Sequence, residues 1–96
     1  MIVFGVEHIE AFIKRHHQAQ KPLQTWLAIV KAERFRSPVD LKLKIPHVGY
    51  VKPYTVFDIK GNHIRVIAIV IYGAGTMSIK HVLTHDEYTK GKWRKI

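Results

Sequence analysis

Apolar positions in the first third of the chain recur at helical spacing. In VEHIEAFIKRHH, Ile9, Phe12 and Ile13 fall at i, i+3 and i+4, which predicts a helix over about Glu7 to His17. KPLQTWLAIVKAERF repeats the pattern with Leu23, Trp26, Leu27 and Val30, and its Pro22 suits a first helical turn. Together the two stripes predict an N-terminal helical hairpin that buries one side, with Lys14, Arg15, Lys31, Arg34 and Arg36 mostly on the solvated side. SPVDLKLKIPHVGYVKP is broken by Pro38, Pro46, Gly49 and Pro53, so at most a short helical turn is expected after Ser37.

Beyond Pro53 the period changes from helical to alternating. YTVFDI, HIRVIAIVIY and TMSIKHV are rich in β-branched and aromatic residues and are separated by the turn signals KGN and GAG, which predicts a three-stranded antiparallel meander. Ile2 to Phe4 is a candidate for a further strand at the sheet's edge. The middle strand is apolar on both faces, with Ile64, Val66, Ala68 and Val70 on one and Ile67, Ile69 and Ile71 on the other, so it should be central. Thr84 and Glu87 have the T-x-x-E spacing of a capping box and predict a short C-terminal helix. The expected fold is α+β: helices packed on one face of a small antiparallel sheet, in a single domain spanning 1–96.

Arg65 interrupts the apolar central strand. Two readings are open: it emerges at the start of the strand into a wet groove, or it anchors a nearby carboxylate such as Asp58. The start of the second meander strand and the end of the third lie at the same end of the sheet, which would bring Arg65 towards His85. An arginine to stabilise phosphate, a histidine that exchanges protons near neutral pH and a tyrosine, Tyr88, to stack on a base or handle a proton are the parts of a metal-independent ribonuclease.

Composition narrows the partners. The 96 residues carry a formal net charge of +9, which attracts polyanions and makes nucleic acid the leading partner class. The absence of cysteine removes disulfide and thiolate chemistry and fits a cytoplasmic setting. The opening MIVFGVEHIEAF does not read as a secretory signal, and the apolar run Val66 to Tyr72 is too short to span a bilayer. The seven histidines show no metal-ligand spacing such as HExxH, and neither a G-x-S-x-G elbow nor a phosphate-cradling loop occurs, so no metal or cofactor is expected.

FDIKGNHIRVIAIVIY followed by THDEYTKGKW, with SPVDLK upstream, closely resembles the HigB-type toxins of bacterial toxin-antitoxin modules, within the RelE/ParE superfamily. The resemblance spans most of the chain. It implies a small α+β toxin that cleaves mRNA on translating ribosomes without metal and is restrained by a cognate helix-turn-helix antitoxin. Carried over by position, it implies that Arg65 contacts the scissile phosphate and that His85 is catalytic or phosphate-binding. Tyr88 is assigned to base stacking or proton handling, and Lys60 to electrostatic stabilisation. Asp86 is read as favouring the helix N-terminus. Lys80, Lys90 and Lys92, with Arg94 and Lys95, would form an RNA-binding rim, whereas Trp93 is expected to pack back on the core. Two other classes remain open: a ParE-like toxin that binds a topoisomerase without cutting RNA, and a non-catalytic basic RNA-binding module.

Overall fold

A computed structural model describes residues 1–61 and 63–94. Asn62, expected in the glycine turn, and Lys95, expected at the RNA rim, lie outside the described residues. The chain runs through β1 (Ile2–Phe4), α1 (Val6–Arg15), a 3-10 turn (His17–Ala19), α2 (Gln20–Ala32), α3 (Pro38–Lys44), β2 (Val48–Val51), β3 (Tyr54–Ile59), β4 (Ile64–Ile71), β5 (Thr76–Thr84) and α4 (His85–Lys90), with a second 3-10 turn at Lys92–Arg94. The five strands form one sheet in the order β1-β5-β4-β3-β2.

Central β4 separates two apolar layers, as its double-sided pattern predicts. Ile64, Val66 and Ala68 join Ile9 and Phe12 of α1, Leu23, Trp26 and Val30 of α2, and Leu41 of α3 in the main core. Ile67, on the alternate face, packs instead with Val56, Trp93 and the half-buried Tyr88. The helices thus cover one face, while α4 and the turn after it cover part of the other. Between β4 and β5 the register shifts so that Ile67 faces His81 and Ala68 faces Ile79, a bulge that skips Lys80 and leaves it exposed.

The edge strand Ile2–Phe4 forms as expected. Three features differ from the sequence expectation. The expected helical hairpin is not confirmed: α1 and α2 are joined by the 3-10 turn and each lies on the sheet, α1 against β5 and α2 against β1 and β3. Both stripes are satisfied by the sheet, so they need not pair with each other. β1 joins the edge in parallel with β5, making the sheet mixed rather than wholly antiparallel. The punctuated segment after Ser37 holds a seven-residue helix, capped by the Ser37 hydroxyl accepting from the Asp40 N–H at 3.1 Å, and an antiparallel edge strand. An edge strand tolerates Gly49, because only one side of its ladder is engaged.

Gly5 fixes how α1 leaves β1. Its φ is 84°, and a Cβ there would collide with the Ile79 carbonyl of β5. Gly5→Ala is therefore expected to cost about 2 kcal/mol, from left-handed backbone strain and the clash together, measured as a lower urea midpoint.

Candidate functional site

The chemistry-bearing residues gather where β3, β4 and β5 end at α4. Lys60 has a φ of 56°, rare for a residue with a Cβ, and its carbonyl accepts the His63 N–H at 3.2 Å to close the turn between β3 and β4. The His63 carbonyl in turn accepts the His85 N–H at 3.2 Å, joining this turn to the start of α4. The capping box is present in full: the Thr84 hydroxyl accepts from the Glu87 N–H at 3.2 Å, and the Glu87 carboxylate accepts from the Thr84 N–H at 2.9 Å. That backbone donor is the main reason the Glu87 carboxyl is held below the usual carboxylate range.

A cleft of about 530 Å³ opens between this end of the sheet and the end of α1. Lys60, His63 and His85 line it from the sheet side, His16 and Gln18 from the helix side, and Phe12 and Ile64 form its apolar floor. Three imidazoles, an ammonium and the Asp86 carboxylate share one cavity, an arrangement suited to moving protons. Sequence reading assigned Lys60 and His85 but gave no role to His16 or His63, whose approach depends on how α1 lies on β5. Among the described residues no three His, Asp or Glu side chains cluster as a metal site.

Arg65 is not among the residues lining this cleft, and it does not emerge into solvent. It is 7% exposed, on the sheet face opposite the helices, where its Nε donates to Asp58 Oδ1 at 2.9 Å. Asp58 and Arg65 are register partners on β3 and β4, so the ladder itself sets the ion pair, and the carboxylate-anchor reading is the one the structure bears out. The Tyr88 ring lies over the guanidinium at 5.0 Å and is stacked on Trp93 at 5.2 Å. Trp93 is buried, as expected, and its Nε1–H donates to the Tyr88 carbonyl at 3.0 Å. Lys60 and His85 thus meet in the cleft, Arg65 and Tyr88 meet on the other face, and α4 carries one member of each pair a turn apart.

The expected RNA rim is split in the same way. Lys90 and Lys92 border a smaller hollow of about 350 Å³, with His81, Leu83, Glu87 and Trp93. Lys80 stands apart on the β5 bulge. The His81 imidazole titrates below its ordinary value because burial disfavours its charged form, with His8 and Lys80 adding repulsion. On acidification the unfolded chain takes up this proton first, so stability should fall as pH drops from about 6.5 through the depressed folded value. His81→Gln is expected to flatten that part of the pH dependence in urea titrations.

A protein of this architecture, with basic and imidazole groups at the end of its sheet, fits the RelE-like class of toxins. The family model for HigB_toxin, the RelE-like toxic component of a toxin-antitoxin system, matches residues 19–91, and the chain belongs to that family. The mRNA interferase toxin HigB of Escherichia coli strain K12 is 35% identical over 69 residues, covering 60% of this chain and 66% of that protein. The same identity and coverage hold for the mRNA interferase HigB of Shigella flexneri. The mRNA interferase HigB of Escherichia coli O6:H1 strain CFT073 is 28% identical over 71 residues, covering 71% of this chain and 69% of the relative.

Proposed function

We propose that the chain is a metal-independent, ribosome-associated endoribonuclease that cleaves mRNA in the cytoplasm and is held inactive by a helix-turn-helix antitoxin. The observation that carries this reading is the cleft in which His85 and Lys60 stand with His16 and His63. The relatives' names as mRNA interferases point the same way.

In the proposed reaction the ribose 2′-hydroxyl attacks the adjacent phosphorus. The 2′-proton passes to a base, the bond from phosphorus to the 5′-oxygen breaks, and that oxygen leaves with a proton from an acid. The products are a 2′,3′-cyclic phosphate and a 5′-hydroxyl. His85 is assigned the base, and Lys60 stabilises the charge that builds on the phosphoryl oxygens. Arg65 and Tyr88 stand on the other sheet face from His85 and Lys60, so their assignment to the scissile phosphate and to base stacking or proton handling is a second reading, in which the phosphate lies on that face. The Asp58 bond through Nε fixes the plane of the guanidinium. Lys80, Lys90 and Lys92 are assigned to the RNA backbone.

The test is incubation of purified protein with translating ribosomes, followed by mapping of mRNA ends. Cyclic phosphate and 5′-hydroxyl termini are expected. Uncut mRNA together with DNA breaks in growth-arrested cells would instead identify a topoisomerase-directed toxin. Restoration of growth by coexpression of a helix-turn-helix protein encoded beside the toxin gene tests the antitoxin assignment.

A further inference from the structure

We propose that the cationic cleft at the opposite end of β4 is a second RNA site, one that grips phosphate backbone away from the point of cleavage. The cleft has a volume of about 790 Å³ and is bordered by Arg34, Arg36, Asp40, Lys44, Tyr72 and Gly73. β4 starts at Ile64, beside the histidine cleft, and ends at Ile71, beside this one. At about 3.3 Å per residue the two sites are roughly 23 Å apart.

The local carboxylates are already engaged. Lys44 Nζ lies 3.5 Å from Glu33 and 3.6 Å from Asp40, and Asp40 also accepts the Arg36 backbone N–H at 3.0 Å. Among the described residues, neither Arg34 nor Arg36 forms a side-chain ion pair, and both are exposed. Arg34 is nonetheless placed: its guanidinium lies over Gly75 in the turn between β4 and β5, 3.4 Å from where a Cβ would stand. Two arginine forks at one cleft suit the oxygens of successive phosphates.

Tyrosines beside the arginines favour a nucleic acid over an acidic peptide. The hydroxyls of Tyr50 and Tyr72 are 3.5 Å apart, Tyr50 is exposed and Tyr72 half-buried. The Tyr72 hydroxyl is raised above its ordinary pKa, chiefly by burial and then by its contact with Tyr50. Aromatic rings next to a basic groove are how single strands are held without regard to sequence. The choice of RNA rests on the proposed nuclease function, whereas the binding measurement below does not require cleavage.

The experiment measures binding of a labelled single-stranded RNA, 2′-O-methylated throughout and long enough to reach both clefts, against salt concentration. For R34Q/R36Q the slope of log K against log salt is expected to fall in magnitude by about 1.4, from two lost phosphate contacts on a single strand, with the folded-state circular dichroism unchanged. R34K/R36K should restore most of the slope, which a purely structural role for the arginines would not predict. On mRNA substrates R34Q/R36Q should raise KM and leave kcat as in the parent. If the parent proves unable to cut RNA but R34Q/R36Q still loses slope, the second site stands and the nuclease reading falls. An unchanged slope and affinity would overturn the second site, as would unchanged RNA binding with weaker binding of the antitoxin.

Discussion

His85→Ala is expected to slow mRNA cleavage on ribosomes by about 10²- to 10⁴-fold, the usual loss on removing a general acid or base, while stability stays within about 0.5 kcal/mol of the parent. The near-neutral stability follows from its position: His85 is exposed, and the bond that joins it to His63 uses the backbone N–H, which alanine keeps. Single-turnover cleavage of end-labelled mRNA separates the chemical step from binding. Cleavage at the parental rate by His85→Ala would remove His85 from the mechanism and shift attention to His63 and His16 in the same cleft.

The second large effect concerns Arg65. Arg65→Met should cost about 3 kcal/mol, the lower end of the range for breaking a buried ion pair, because the Asp58 side chain keeps 35% of its surface in water. Adding Asp58→Leu removes the orphaned carboxylate and should recover much of that loss, which a double-mutant cycle in urea would measure. The same variants separate the two roles given to this arginine. If Arg65 binds the scissile phosphate, the restabilised double variant stays inactive, whereas Asp58→Asn loses stability and keeps cleavage. An active double variant would show that Arg65 only holds β3, β4 and α4 together.

Local rules made several elements legible. The capping box at Thr84 and Glu87 needs only four residues, and the central place of β4 follows from its apolar alternation on both faces. Elements that depend on distant neighbours were less legible. β2 is punctuated by Gly49 and is stabilised by β3, while the helix from Pro38 rests on the Ser37 cap and burial of Leu41. Helical periodicity located the apolar stripes of α1 and α2 without showing that both would face the sheet. Arg65 is the sharpest case. Its strand pattern showed which face it occupies, but burial comes from Tyr88, 23 positions along the chain and stacked on Trp93.

The parallel pairing of β1 with β5 has a consequence for when this fold is complete. Ile2 pairs with Thr76, so the sheet's first strand finds its neighbour only after most of the chain is available, a closure with a high entropic cost and a slow approach. The histidine cleft has the same dependence, because His16, His63 and His85 come from three widely separated segments. During synthesis the ribosome making this chain therefore holds an incomplete cleft until β5 and α4 have emerged. The order of assembly itself sets when the three histidines first stand together.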